Sequence, residues 1–250
     1  MEYRIKAIDE STWQIEEYNE NASVYMYLLA GKKKAILIDT GFGTIDLKKI
    51  VQSLTSLPVE VILTHGHADH IGGTSFFERV YLNEKDRQVY QQHSAVKYRK
   101  SMTGEDSFAP VKEECTYIKG IEKMDLGDRI LKLIPTPGHT IGTICLLDVE
   151  KKRMYTGDTC CEANVLLNLD YATDIQTYRN SILRLKQENF TITWPAHHKT
   201  PVMPDILDEF EEAATLLLEG KAKGETIDLG GEFGQAMLFS WKRVGIVYKE

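Results

Sequence analysis

Residues 61–73, VILTHGHADHIGG, place three histidines and an aspartate within six positions, directly after an apolar segment. Imidazole and carboxylate groups are costly to bury unless something satisfies them. His65 and His67 are two apart and can point to the same side of an extended chain, while Asp69 and His70 lie where a turn or helix start redirects them. These four side chains predict a site shared by two cations, because one tetrahedral site would use all four and leave no open position.

Two further histidines and two aspartates stand in similar contexts, each close behind an apolar segment. His139 follows a Pro-Gly turn in LIPTPGHT, and His197 follows Pro-Ala in TITWPAHH. Asp158 ends MYTGD, and Asp39 ends AILID. Binding sites in α/β proteins gather at strand ends, so these residues and the histidine cluster predict one shared pocket. The spacing leaves open whether His197 or His198 faces it, and Asp39 has the alternative of capping the turn that follows.

The ligand types narrow the choice of metal. Imidazole and carboxylate without thiolate suit zinc, with iron, manganese, cobalt or nickel possible on affinity grounds. With at most three histidines for each ion and a carboxylate as a bridge, positions stay open for water. Water bound to zinc ionises with a pKa of about 7, which gives hydroxide at neutral pH. The chemistry implied by the residues is hydrolysis.

The net charge, the N-terminal residues and the cysteines limit the classes of partner and the cellular compartment that are expected. Thirty Lys and Arg against 37 Asp and Glu give a net charge of −7, which disfavours nucleic acid because its binders usually carry a basic footprint. The N-terminal residues lack the apolar core of a signal peptide, and no stretch is long enough to span a bilayer, so no membrane partner is expected. The four cysteines show no CxxC spacing and no secreted disulfide density, so we expect a cytoplasmic setting.

Strands and helices alternate along both halves of the sequence. This alternation predicts an α/β sandwich, and because no change in composition marks a boundary, residues 1–250 are expected to form a single domain. The tail, residues 225–250, has two alternatives, a terminal strand pair or an apolar contact with a second subunit in a homo-oligomer. Residues 100–118 are polar and are predicted to form a long loop or lid. The patterns place strands at about 23–30, 34–39, 59–64, 79–83, 129–134, 143–149, 153–156 and 190–194, and helices over about 47–54, 84–99, 174–189 and 205–219.

The chain resembles the metallo-β-lactamase superfamily, and the resemblance rests on an ordered set of residues. The set comprises His65-x-His67-x-Asp69-His70, His139, Asp158 and His197, with IDTG, PTPGHT and TGD as further matching segments. The match runs over about residues 23–198. It implies an αββα four-layer sandwich, in which two mixed β-sheets are flanked by helices and two divalent metal ions lie at one edge.

The resemblance also assigns roles. Asp158 would bridge the two ions, and Asp39 would orient a ligand histidine. Asp69 would be catalytic as well as a ligand, because it would lie close enough to the bridging hydroxide to orient it or shuttle its proton. The first ion would be held by His65, His67 and His139, and the second by Asp69, His70 and His197.

The resemblance implies a dinuclear metal-dependent hydrolase in which metal-bound hydroxide attacks an ester-type bond, a thioester or a lactone, of a small-molecule substrate. Alternatives are an iron-binding redox enzyme on the same ligands, a phosphodiesterase or nuclease, a β-lactam hydrolase and a non-catalytic metal-binding protein. Glutathione thioesters are disfavoured because residues 205–219 are acidic where glyoxalase-type enzymes carry basic residues.

Four residues outside the predicted ligand set also have side chains for which the sequence suggests a role or a location. Tyr171 and Tyr178 are available to orient a substrate. His93, in the polar run VYQQHSAV, is predicted to be solvated. Cys160, which follows Asp158 closely, is expected to be a buried residue and not a ligand, because the ligand set is complete without it.

Overall fold

The computed structural model of the 250-residue chain describes residues 1–20, 22–104, 108–119, 122–230 and 234–250. The chain forms two compact units, Met1–Leu133 and Ile134–Glu250. Strands and helices alternate in both, so the α/β class predicted from the sequence is confirmed. None of the helices in the described ranges combines the length and the apolar character that a membrane span needs.

The first unit is built on a seven-stranded sheet. Its strands are β1 (Glu2–Asp9), β2 (Thr12–Tyr18), β3 (Ser23–Ala30), β4 (Ala35–Ile38), β5 (Val59–Ile62), β6 (Val80–Asn83) and β7 (Thr116–Ile118), side by side in that order. Neighbours from β1 to β4 are antiparallel, and neighbours from β4 to β7 are parallel. A hairpin follows, in which β8 (Glu122–Asp125) pairs with β9 (Ile130–Pro135). Because β4 and β5 are parallel, the segments behind them emerge at the same edge of the sheet.

Short helices accompany this sheet. They are α1 (Leu47–Leu54), α2 (Ala68–Ile71), α3 (Arg87–His93) and α4 (Val96–Thr103). Asp46 caps α1 by accepting a hydrogen bond from the Lys49 N–H, and Leu47, Ile50 and Val51 are buried as the spacing predicts. The core of this unit joins that face of α1 to the apolar side chains of β3, β4 and β5.

Within the described ranges, the second unit combines two helices with seven strands. β10 (Ile144–Asp148) pairs antiparallel with β11 (Arg153–Gly157), which pairs in parallel with β13 (Ile192–Pro195). A further four-stranded sheet has the order β12 (Asn164–Leu167), β16 (Val244–Tyr248), β15 (Gln235–Trp241) and β14 (Glu225–Asp228). The helices α5 (Ile175–Leu185) and α6 (Ile206–Leu218) contribute Tyr178, Ile182 and Phe210 to its core.

The structure corrects two of the predicted segments. The single helix predicted over 84–99 is a short 3₁₀ turn, Glu84–Asp86, followed by α3 and α4. The break falls at Ala95, which is extended, after the Ser94 hydroxyl donates a hydrogen bond to the Tyr90 carbonyl. The loop predicted over 100–118 contains the end of α4 and all of β7, and residues 105–107 lie outside the described ranges.

The tail forms strands. β15 and β16 form the antiparallel strand pair that was one of the two expectations for the tail. Met237 is buried, while Phe239 and Trp241 are partly buried against the core of their own unit. The apolar side chains of this segment therefore pack within the chain.

Candidate functional site

The carboxylate of Asp39 organises the end of β4. It accepts hydrogen bonds from the Thr64 N–H at 2.7 Å, from the Thr64 hydroxyl at 2.8 Å and from His70 Nδ1 at 2.8 Å. Its backbone is left-handed, with φ of 62°, a region that aspartate tolerates better than most residues. Because a carboxylate can only accept, Nδ1 of His70 carries the proton and Nε2 presents its lone pair. Asp39 thus makes the contact expected of a residue that orients a ligand histidine.

The THGHADH segment gathers its ligand-type atoms within the first unit. Nε2 of His65 lies 3.0 Å from Nδ1 of His67, and Nε2 of His70 lies 3.4 Å from Oδ2 of Asp69. All four residues are buried, with at most 8% of each residue exposed. The segment is turned by α2, whose first residues follow His67. The pairs His65–His67 and Asp69–His70 belong to candidate metal-ligating groups.

The second unit gathers the other three predicted ligands by itself. Oδ2 of Asp158 lies 3.3 Å from Nε2 of His139 and 3.4 Å from Nε2 of His197. Asp158 follows β11 and His197 follows β13, two parallel neighbours whose ends emerge together. The Nδ1 atom of His139 is 2.9 Å from the carbonyl of Leu166 in β12, which fixes its ring in the same manner as Asp39 fixes His70.

The two adjacent histidines point to different partners. His197 faces Asp158, whereas Nδ1 of His198 is 2.8 Å from the Thr200 carbonyl, and its Nε2 is 3.9 Å from Glu162. Of the two alternatives in the sequence, the structure places His197 with the other ligand-type side chains of its unit.

The separations between these atoms suit ligands of a metal ion. At metal–nitrogen distances near 2.0–2.1 Å, two ligands of one tetrahedral ion lie about 3.3 Å apart. The four pairs of ligand atoms are 3.0, 3.4, 3.3 and 3.4 Å apart. The donor atoms are imidazole nitrogens and carboxylate oxygens. In His65, His70 and His139, Nδ1 contacts an oxygen atom of another residue, and Nε2 lies near another ligand-type atom. The residues fit divalent ions such as zinc.

Supporting residues that the sequence analysis missed hold the loop between His65 and His67. The buried carboxylate of Asp86 accepts a hydrogen bond from the Gly66 N–H at 2.8 Å. A Cβ at Gly66 would lie 2.8 Å from the Tyr90 backbone nitrogen, so only glycine lets α3 approach this closely. An Asp twenty residues downstream carries no local sequence pattern that links it to this loop.

A buried acid and a buried base hold the loop behind Asp39. The Glu17 carboxylate accepts hydrogen bonds from the Phe42 and Thr44 N–H groups at 2.8 Å each, and burial raises its pKa in spite of them. Arg99 of α4 donates to the Phe42 carbonyl at 2.6 Å and to the Gly72 carbonyl at 3.4 Å. Burial lowers the pKa of Arg99 to about 10, so the guanidinium stays charged at neutral pH.

The four residues named outside the predicted ligand set differ in how far they are buried. Tyr178 is fully buried, and its hydroxyl donates to the Thr159 carbonyl, so it is a core residue and not available to substrate. Tyr171 is partly exposed in a left-handed conformation, with φ of 67°. Cys160 is 1% exposed and burial raises its pKa, as expected of a core thiol. The prediction that His93 is solvated is wrong, because its side chain is 6% exposed and packs against the ring of His67.

The comparison with protein families decides the classification. The family model of the Metallo-beta-lactamase superfamily matches residues 21–197. The chain belongs to this superfamily. The matched range contains every ligand-type residue described above and ends at His197, before α6 and the strands β14, β15 and β16. The superfamily resemblance stated from the ordered histidines and aspartates is confirmed.

Two relatives match the chain over 74% of its length. A Beta-lactamase-like protein 2 homolog of Caenorhabditis elegans is 28% identical over 191 residues, which are 74% of this chain and 59% of that protein. A Hydroxyacylglutathione hydrolase of Francisella tularensis is 29% identical over 187 residues, 74% of this chain and 67% of that protein. The chain thus spans about three fifths to two thirds of their length.

Solved structures show the fold. A metallo-beta-lactamase family protein from Thermus thermophilus matches with a TM-score of 0.66 at 20% identity, over 86% of this chain and 82% of its own. A Metallo-beta-lactamase from Pontibacter korlensis matches with a TM-score of 0.62 at 17% identity, over 86% of this chain and 99% of its own.

Proposed function

We propose that this chain is a dinuclear metal-dependent hydrolase that cleaves a thioester or lactone bond of a small molecule. The observation that carries the proposal is the arrangement of the ligand-type atoms in each unit. Each unit brings imidazole and carboxylate atoms to separations of 3.0–3.4 Å, and His70 and His139 each have the second ring nitrogen held by an oxygen acceptor. Membership of the metallo-beta-lactamase superfamily supports a dinuclear metal centre.

In this proposal the predicted residues serve as ligands of the two ions or orient such a ligand. His65, His67 and His139 would hold the first ion, Asp69, His70 and His197 would hold the second, and Asp158 would be a ligand of both. When bound, two divalent ions, for which we propose zinc, would lower the pKa of a water molecule and would polarise the scissile carbonyl group. Asp39 keeps the proton of His70 on Nδ1, so that Nε2 is free to act as a ligand.

Asp69 has a second task in the proposal. Asp69 lies in the first turn of α2, and its side chain is 11% exposed. We assign it to accept the proton of the attacking water and to deliver that proton to the leaving thiolate or alkoxide. Cleavage then forms one carbon–oxygen bond, breaks the carbon–sulfur or ester carbon–oxygen bond, and leaves an acid and a thiol or alcohol.

The substrate class rests on the relatives and the charge. Hydroxyacylglutathione hydrolases, whose name describes thioester cleavage, are among the relatives. The net charge of −7 disfavours a polyanionic substrate. The acidic residues of α6 argue neither for nor against glutathione, because Glu209 pairs with Arg243, Glu211 with Lys186 and Glu212 with Lys242.

The test combines metal content with a substrate panel. The purified protein is reconstituted with zinc, its metal content is measured, and a glutathione thioester, a lactone, a β-lactam and a phosphodiester are offered. Asp69→Ala and His197→Ala are compared with His198→Ala, a matched control whose imidazole faces Thr200 and Glu162.

The proposal expects about two zinc ions per chain, turnover of a thioester or lactone, and loss of that turnover in the Asp69 and His197 variants only. Iron with a visible absorption band and no hydrolysis would replace the proposal by the redox alternative. Less than one ion per chain after reconstitution, without turnover, would overturn it.

A further inference from the structure

His93 lies against a proposed metal ligand without being part of the superfamily motif. It is the last residue of α3 and is 6% exposed. Its ring stacks on that of His67, with centroids 4.7 Å apart and planes inclined by 15°. The ring of Tyr98, from α4, packs on His93 in turn, with centroids 4.0 Å apart. The rings of Tyr98 and His93 therefore connect α4 to His67.

Hydrogen bonds hold the two helices, α3 and α4, that carry this stack. α3 is tied to the loop between His65 and His67 by the Asp86–Gly66 hydrogen bond. Arg99 of α4 donates hydrogen bonds to three backbone carbonyls of the neighbouring loops. Its guanidinium carbon lies over the ring of Phe108, 4.6 Å from the ring centroid. The short helices thus stand in fixed positions behind the histidine cluster.

The plane of an imidazole decides where its ligand nitrogen points. Hydrogen bonds to Asp39 and to the Leu166 carbonyl set the rings of His70 and His139. For His67, stacking on His93 holds the ring in the plane that brings Nδ1 to 3.0 Å from Nε2 of His65. Rotation about the Cβ–Cγ bond would turn this nitrogen away from His65 and would break the stack.

We propose that His93 is a positioning residue that fixes the ring of His67 and thereby sets the affinity for the ion held by His65 and His67. This inference rests on the proposed function, because it takes His67 as a metal ligand. Supporting contacts to ligand side chains are typically worth 10–100-fold in metal affinity. We expect His93→Ala to weaken binding of one ion about tenfold or more and to leave the other ion unchanged.

The experiment measures the two binding constants by competition with a chelator, using zinc, and follows the absorption bands of the cobalt-substituted protein. The variants are His93→Ala, His93→Phe and Tyr98→Leu, with His198→Ala as the matched control. His93→Phe keeps a flat ring and should bind both ions as the unmodified protein does. Tyr98→Leu, which leaves His93 in place but removes the ring behind it, should weaken the same ion by a smaller factor. Thermal unfolding of each metal-free variant shows whether it folds.

The outcomes separate this inference from the proposed function. If the unmodified protein binds no ions, the proposed function fails. If it binds two, and His93→Ala keeps both affinities and both cobalt bands, the positioning role is refuted. A loss in His93→Phe equal to that in His93→Ala would also refute it, because the effect would then come from the ring nitrogens. Should His93→Ala not fold, Tyr98→Leu and His93→Phe carry the decision.

Discussion

Replacing Asp39 by Asn changes one atom of the carboxylate and should reverse the tautomer of His70. Asparagine tolerates the left-handed backbone, φ 62°, as well as aspartate does, so the substitution adds no strain. Its carbonyl oxygen can still accept the Thr64 N–H bond that Oδ1 receives at 2.7 Å. Its NH₂ group then stands at the Oδ2 position, 2.8 Å from Nδ1 of His70.

Two donors cannot face each other at that distance, so we expect the proton of His70 to move from Nδ1 to Nε2. Nε2 is the nitrogen that lies 3.4 Å from Asp69 and that the proposal uses as a ligand. Loss of such an orienting carboxylate costs about 10–100-fold in metal affinity, or about 1.4–2.8 kcal/mol at 1.4 kcal/mol per tenfold. The ion at Asp69, His70 and His197 should be the one affected.

The assay is zinc titration against a competing chelator, together with nitrogen NMR of the imidazoles, which reports the tautomer directly. Asp46→Asn is the matched control, since Asp46 is exposed and caps α1, a task that asparagine performs equally well. An Asp39→Asn protein that keeps the Nδ1 proton on His70 and binds both ions with unchanged affinity would refute the reasoning.

Three further predictions concern stability and reactivity. Asp174→Ala removes the cap of α5, a 2.6 Å bond to the Thr177 N–H, and should lower the free energy of unfolding by about 1 kcal/mol in urea titrations at pH 7. That hydrogen bond lowers the pKa of Asp174 in the folded protein, so it stabilises the fold at a pH above the pKa that Asp174 has in the unfolded chain. The loss of stability in Asp174→Ala should therefore vanish as the pH falls through the pKa of Asp174 in the folded protein. A loss of stability that does not change with pH would contradict this. Gly66→Ala should cost about 1–3 kcal/mol, measured likewise, because the new Cβ would meet the Tyr90 nitrogen at 2.8 Å, and unchanged stability would disprove the close approach. Burial raises the pKa of Cys145 to about 11, so this thiol should react with a disulfide reagent at pH 8 only after unfolding, and rapid labelling of the folded protein would be the contrary result.

Local patterns predicted the parts of the fold that local physics determines. The strand pair β3–β4 was predicted because two apolar runs flank a short Gly-Lys turn, and α1 because its apolar residues recur at helical spacing. No element was predicted for residues 1–20, where β1 and β2 form a hairpin. In β1 most side chains are exposed, so the apolar alternation that marks a half-buried strand is weak.

The candidate site was likewise predictable from the sequence only in part. Its ligand-type residues can be recognised in the sequence because they are closely spaced or follow the predicted strands. Their supports are tertiary contacts, and neither Asp86 nor Arg99 has a local pattern that connects it with the loop it holds. For His93 a pattern was present, since Val89 and His93 are four residues apart and lie on the buried face of α3. The polar neighbours of His93 hid that periodicity.

The central claim, made under the proposed function, is that the chain binds two divalent ions in one dinuclear centre. X-ray absorption at the zinc edge of the reconstituted protein tests this most directly, because it measures the distance between the two ions. The account predicts two zinc ions per chain with nitrogen and oxygen ligands and a zinc–zinc separation of about 3.5–4 Å. Two bound ions without a zinc–zinc contribution, or a spectrum that requires sulfur ligands, would contradict it.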